Sequence, residues 1–331
     1  MSLRIANAQQ HSRILSVGVY RPTRVVPNSE VIGPINSSDE WIVTRSGIRT
    51  RRFADDTESL GDMAVSAAEK ALSQAGIDGR DVSLVLLATM SNLNQAPPLS
   101  AEVAYRIGAT EAGAADIGVA CAGLCYGVSM ASDAIRVGSA RYAVVVGTER
   151  MSDIIDPADR STAFIFGDGA GAVVLGPATR PGIGPTIWGA DGSRGDAIKQ
   201  DSFLELRRDP TAPWPTLRMA GPEVFRWAVT SMVEVAQQAL AAAGVTVEDL
   251  GAFIPHQANR RITDSLAKSL KLPEHVAVAH NVVWDGNTSA ASVPLAMEAL
   301  LSSDAAHSGD LALLMGFGSG LSYAAQVVEL P

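Results

Sequence analysis

The chain repeats itself at about half its length, and this constrains its fold more than any other feature. Val65–Val82 lines up with Val233–Leu250, 168 positions further on. Tyr142–Gly147 matches Leu311–Gly316 at an offset of 169, and Ala131–Ile135 echoes Ala296–Leu300 at 165. Alanine-rich helices resemble one another by chance, so no single match decides anything. Three in order at nearly one offset indicate a duplicated α/β unit. In the first match, both copies read as amphipathic helices closed by a glycine (Gly76, Gly244), followed by a short loop and an apolar strand. Strands alternating with helices predict mostly parallel sheets covered on both faces. The first unit is placed at residues 1–178 and the second at 179–331, with a loop-like stretch over Asp191–Pro215.

The 331 residues are 47% hydrophobic and 18% charged, enough apolar material for a large core, which excludes general disorder. A net charge of −9 excludes binding to a nucleic-acid backbone as the main activity; an acidic partner would need a local basic patch. Cys121 and Cys125 are too few for a disulfide framework and have no histidine at metal-binding spacing, so no metal is expected. Met1–Arg13 is polar, without a signal-peptide pattern. Leu311–Val328 is broken by Gly316, Gly318, Ser319 and Gly320, and reads as two buried strands joined by a turn rather than a membrane span. A soluble, cytoplasmic protein is expected.

The repeat also places chemistry. Extending the third match sets Cys121 against Gly286 and Ala122 against Asn287, each at the entry to a helix. Extending the first sets Ala88 against His256 at a strand end. Strand ends and helix starts of two related halves converge at the centre. There a cysteine, a histidine and an asparagine supply a nucleophile, a proton handler and an amide donor. Cys121 fits the first turn of a buried helix, whose unpaired N–H groups favour a thiolate and a lowered pKa. Cys125, one turn further, reads as structural. Gly167–Gly171 imitates a phosphate loop, but Ala172–Leu175 after it reads as a strand, not a helix.

At these residues the sequence resembles the thiolase superfamily, and within it the β-ketoacyl-acyl carrier protein synthase III family. The resemblance runs over essentially the whole chain. It is carried by Ser38–Arg49, Ala120–Gly123, Asp159–Arg160, Phe166–Gly171, Pro255–Asn259, Gly286–Ser292 and Gly316–Gly320. It implies a five-layered α-β-α-β-α fold, a homodimer, and no cofactor beyond coenzyme A as substrate carrier. The implied reaction starts with attack of Cys121 on an acyl-CoA. Malonyl-acyl carrier protein then loses carbon dioxide, with His256 and Asn287 stabilising the enolate, and condenses with the acyl-cysteine. The resemblance further implies an oxyanion hole from the N–H groups of Cys121 and Ser319. It sets Trp41 and Arg160 about the CoA adenine, Arg45 at its phosphates, and Asn259 in the tunnel.

Ser319 departs from the glycine of many relatives but keeps the N–H. Ala96 aligns near a bulky phenylalanine of acetyl-preferring relatives, which predicts a wider acyl pocket. Arg260, Arg261, Lys268 and Lys271 form the expected docking patch for the acidic carrier protein. No cysteine follows Cys125, which disfavours a degradative thiolase. Two alternatives stay open: a starter-unit priming ketosynthase or acyltransferase of a polyketide pathway, and an inactive scaffold.

Overall fold

The computed structural model describes residues 11–331; Met1–Gln10, most of the polar amino-terminal segment, lie outside the described residues. Strand β1 (His11–Tyr20) leads to a ribbon of β2 (Arg24–Pro27) and β3 (Thr50–Phe53), which flank helix α1 (Asp39–Ser46). Helix α2 (Leu60–Ala75), β4 (Val82–Ala88), α3 (Leu99–Arg106), β5 (Gly113–Ile117), α4 (Gly123–Arg136), β6 (Tyr142–Glu149) and β7 (Gly169–Ala178) follow. The second series opens with β8 (Ile187–Gly189) and a ribbon of β9 (Ile198–Gln200) and β10 (Leu217–Met219). It continues through α5 (Gly221–Ala243), β11 (Leu250–Pro255), α6 (Arg260–Leu270), β12 (Ala277–Val278), α7 (Ser292–Ser302), β13 (Leu311–Phe317) and β14 (Tyr323–Glu329).

The two main sheets have the same plan. Their orders are β1-β7-β6-β4-β5 and β8-β14-β13-β11-β12. Even the irregularities match: β4 skips one residue against β6 between Val82 and Leu84, as β11 does against β13 between Leu250 and Ala252. The sheets are mixed rather than mostly parallel. In each, the strand second from one edge, β4 or β11, pairs parallel with both neighbours, while the return strands β7 and β14 pair antiparallel on both sides. The reason lies in the connections. β13 reaches β14 through a tight turn, and β6 reaches β7 through residues 150–168 without a crossover helix, so each chain end folds straight back.

Helices α2 and α3 cover the outer face of the first sheet, and α5 with α6 cover that of the second. Helices α4 and α7 fill the space between the sheets and touch both, in one continuous apolar core. This is the five-layered thiolase arrangement. Both repeat helices end as the sequence indicated, with Gly76 and Gly244 in the left-handed conformation at φ 66° and 69°.

The structural offset at the central helices is 169, not 165. The turn Ala120–Ala122 before α4 corresponds to Ser289–Ala291 before α7, so Cys121 pairs with Ala290 rather than Gly286. The sequence alignment had slipped by four residues, about one helical turn, which superposes two alanine-rich faces almost as well. Gly147 and Gly316 show why the true register is fixed. A Cβ on Gly147 would lie 2.3 Å from the Ala290 carbonyl oxygen, and one on Gly316 would lie 2.8 Å from Ala122 Cα. Each sheet thus presses a bare backbone against the other half's turn. Asp191–Pro215 is also more than a loop: it holds a 3₁₀ turn, β9 and a short helix over Leu204–Arg208.

Among the described residues no helix is long and apolar enough to cross a membrane, and Leu311–Val328 forms the β13–β14 pair. Gly169–Ala178 is strand β7, so the glycine-rich run opens no helix.

Candidate active site

Cys121 stands in the 3₁₀ turn that enters α4, just after Ala120, whose φ of 47° is unusual for a residue with a side chain. That local strain, on the order of 1 kcal/mol, turns the sulfur toward the second half. Gly318 runs directly over it: a Cβ there would lie 2.9 Å from Sγ. His256 follows β11, and its N–H bonds the Met315 carbonyl at 2.6 Å. Asn287 bridges to Phe166, exchanging backbone hydrogen bonds with Ile165 and Gly167 at 2.9 and 3.0 Å. That segment is itself held by Arg51, a fully buried guanidinium that donates to the Phe164 carbonyl at 2.8 Å and to Asn28 Oδ1 at 2.7 Å.

Cys121, His256 and Asn287 all line one cavity of about 510 Å³ whose walls are mostly apolar, including Met90, Phe164, Leu217, Phe225 and Phe317. They are 7%, 2% and 5% exposed, so the chemistry is nearly out of water, where hydrogen bonds to developing charge are strong. Nδ1 of His256 lies 2.7 Å from Ser292 Oγ, which also accepts the Gln257 N–H at 3.3 Å. With the serine proton given to Nδ1, the ring proton sits on Nε2 and can be donated into the cavity. Burial lowers the His256 pKa to about 3, so the ring is neutral at ordinary pH. Asn287 Oδ1 accepts the Ser289 N–H at 2.9 Å, which leaves its NH₂ group as the donor.

Two models of 3-oxoacyl-(acyl-carrier-protein) synthase III match the chain, one at residues 115–192 and the carboxy-terminal one at 240–330. A β-ketoacyl-(acyl-carrier-protein) synthase III of Streptomyces glaucescens is 52% identical over 327 residues, covering 98% of either chain. The chain belongs to the synthase III family. Among solved structures, the priming β-ketosynthase of a polyketide biosynthetic pathway superposes with a TM-score of 0.97 at 48% identity, covering 100% of this chain and 99% of that one. The synthase III of Aquifex aeolicus superposes at 0.89 with 36% identity, covering 96% and 99%.

Several further residues named for a synthase III site border the same cavity: Trp41, Arg45, Arg160, Asn259, Arg261 and Ser319. Arg160 and Arg45 lie over the Trp41 ring at 4.5 and 5.4 Å. Trp41 rides on α1, capped by Ser38 accepting the Trp41 N–H at 3.1 Å. Asn259, at the cavity wall, also holds local structure. It caps α6 through the Arg261 N–H and donates to the Arg45 carbonyl, tying α6 to the end of α1.

Other expectations need correction. Ala96 is exposed and does not border the cavity, because the chain leaves β4 for the surface beyond Ser91. Arg260 is paired with Asp264 at 3.5 Å and folded over Gly47, and Lys271 lies past the end of α6 at φ 55°. Those two therefore do not share a helical face; Arg261 and Lys268 remain exposed on α6. The lowered Cys121 pKa expected from the helix start is opposed by burial. Burial, with the nearby Glu149 charge, pushes the Cys121 thiol up to about 12 despite the Ser289 hydrogen bond.

Three partners had escaped the sequence reading: Glu149, Ser289 and Ser292. The serines stand in the same Gly286–Ser292 run as Asn287. Glu149 is an acid closing an apolar strand, a signal visible in the sequence. Among the described residues no group of three or more metal-ligating side chains is gathered.

Proposed function

We propose that this enzyme condenses an acyl-CoA starter with malonyl-acyl carrier protein, with loss of carbon dioxide, to give a 3-oxoacyl-acyl carrier protein that initiates fatty acid biosynthesis. One observation carries the reading: a cysteine from one half and a neutral histidine and an asparagine amide from the other border a single apolar cavity. Cys121 attacks the thioester carbonyl and retains the acyl group as CoA departs. Its own N–H and that of Ser319 receive the oxyanion. Ser319 opens a 3₁₀ turn, so its N–H has no partner within that turn. Its hydroxyl donates to the Ile198 carbonyl at 2.8 Å, anchoring the turn rather than entering the site.

After the malonyl group enters, its carboxylate leaves as carbon dioxide, and the electron pair passes to the thioester oxygen. His256 Nε2–H and the Asn287 NH₂ stabilise that enolate, and a neutral ring suits the task because its donor never depends on protonation. The enolate carbon then attacks acyl-Cys121 and expels the sulfur. Trp41 and Arg160 hold the CoA adenine and Arg45 its phosphates; CoA is a substrate carrier, and no resident cofactor is invoked. The acidic carrier protein docks on the face bearing Arg261 and Lys268.

The division of the chain after residue 178 belongs to the same reading; β7 ends at Ala178 and β8 begins the second sheet at Ile187. So do a cytoplasmic setting, which suits two buried free cysteines, and a homodimer. β5 is an edge strand exposed along most of its length, the kind of edge a second copy can cover by strand pairing. Sedimentation equilibrium is expected to give twice the chain mass; a monomer would refute the dimer.

The reaction itself is tested by mass spectrometry of the carrier protein after incubation with acyl-CoA and malonyl-acyl carrier protein. A product longer than the starter by two carbons is expected. Acyl-Cys121 without such a product would refute decarboxylative condensation. A second reading, starter-unit priming in a polyketide pathway, is favoured by the likeness to the priming β-ketosynthase. It uses the same chemistry and would be revealed by preference for that pathway's carrier protein.

A further inference from the structure

Glu149 ends β6 fully buried, and all of its hydrogen-bond partners among the described residues are neutral. Ser91 Oγ donates at 2.5 Å, Thr89 Oγ1 at 3.1 Å, and the N–H groups of Met90 and Ala290 at 3.1 and 3.5 Å. Burying a carboxylate without a cation is costly. A glutamine could tie the same segments together for less. Burial raises the Glu149 pKa above the ordinary carboxylate value, which disposes the acid to take up a proton.

Ser289 connects it to the nucleophile. The Cys121 thiol donates to Ser289 Oγ at 3.3 Å, and the N–H of the next residue, Ala290, reaches Glu149 Oε1 at 3.5 Å, which sets Ser289 between the sulfur and the carboxylate. Ser289 is held for this role in a left-handed conformation at φ 47°, with its N–H bound to Asn287 Oδ1. With Nδ1 accepting from Ser292, the His256 proton sits on Nε2, and the ring offers the thiol no acceptor there. Cys121 itself needs an acceptor, because burial holds the thiol protonated at ordinary pH.

We propose that Ser289 and Glu149 together accept the Cys121 proton during acylation. As the sulfur attacks the acyl-CoA carbonyl, the thiol proton passes to Ser289 Oγ and the serine proton passes to the Glu149 carboxylate. The S–C bond forms while the carbonyl electron pair moves to oxygen. When the tetrahedral intermediate collapses, the C–S bond to CoA breaks. The proton then returns through Ser289 to the departing CoA sulfur, leaving acyl-Cys121 and free CoA thiol. Ser289 touches the reacting sulfur, and Glu149 acts through it. The proposal rests on Cys121 being the acyl-accepting nucleophile.

The test is quenched-flow mass spectrometry of acyl-Cys121 formation from acyl-CoA, from about pH 6 to about pH 9. Glu149→Gln and Ser289→Ala are expected to slow acylation by about 10²–10⁴-fold. Their rates should climb about tenfold per pH unit, since the residual route needs a thiolate formed by solvent. The wild-type rate is expected to level off once Glu149 is ionised, and Glu149→Asp should recover part of it. Decarboxylation of malonyl-acyl carrier protein, which uses His256 and Asn287, should stay within about threefold in all variants.

Wild-type acylation rates in the first two variants would overturn the proposal. So would equal loss of both half-reactions, or slowed acylation with the wild-type pH profile, since either marks a structural role only. If Glu149→Gln fails to fold, Ser289→Ala decides, because it leaves the Glu149 bonds to residues 89–91 in place. A folded wild-type enzyme that never acquires an acyl group on Cys121 would instead refute the underlying reading.

Discussion

A Cys121→Ala protein is expected to form no acyl-enzyme from acyl-CoA, a loss on the order of 10⁴-fold or more, while still decarboxylating malonyl-acyl carrier protein. The other cysteine cannot replace Cys121. Cys125 lies one turn deeper in α4, fully buried in the core between the sheets, and does not border the cavity. The donors for decarboxylation are untouched, because His256 is oriented by Ser292 and Asn287 by its own backbone bridge to residues 165–167. Intact-protein mass and carbon dioxide release measure the two half-reactions separately. An acyl adduct on any other residue of the variant would refute the assignment of Cys121.

The converse result is expected for Asn287→Asp. The aspartate keeps an oxygen for the Ser289 N–H, so the turn before α7 survives. The donor, however, becomes a carboxylate facing a developing enolate. Loss of one oxyanion donor costs about 10²–10³-fold, and the added repulsion should push decarboxylation to the far end of that range. Acyl-Cys121 should still form and accumulate, because the oxyanion of the first step lies at Cys121 and Ser319. Equal damage to both half-reactions would mean that Asn287 serves the turn rather than the enolate. The two variants together thus separate the acylating from the condensing machinery.

Much of this was legible in the residues. The duplication is written in local patterns, namely apolar strand runs and glycine-closed helices, and these reproduce in three dimensions because each is fixed by short-range geometry. Cys121 and His256 were accessible for the same reason, since they stand at element ends that the repeat locates, whereas Asn287 was reached through the slipped register and lies just before the turn that matches Ala120–Ala122. The four-residue slip was not detectable, because alanine-rich helix faces recur every turn and only the contact of Gly147 with Ala290 fixes the register. Strand direction was misjudged where a connection carries no crossover helix. Glu149 and Ser289 were missed because their meaning comes from contacts across 141 and 168 residues of chain, with Ala290 and Cys121 respectively. The acidity of Cys121 was misjudged in sign: helix position is readable from sequence, whereas burial depends on everything that closes over the sulfur, Gly318 included. Ala96 was assigned by alignment alone, and the loop geometry carries it to the surface.

The middle layer has one more consequence. Helices α4 and α7 are held on both sides, each by two sheets, in a single apolar core. The molecule therefore has no clamshell motion to offer: parting the halves would strip water-excluded surface from both helices and dismantle the reaction chamber itself. Under the proposed reaction, substrates enter lengthwise into the cavity that Trp41 and Arg160 border, and are withdrawn by the same kind of travel. A slender, flexible arm ending in a thioester, such as CoA and acyl carrier protein both carry, is the shape of cargo that such a rigid vault can accept.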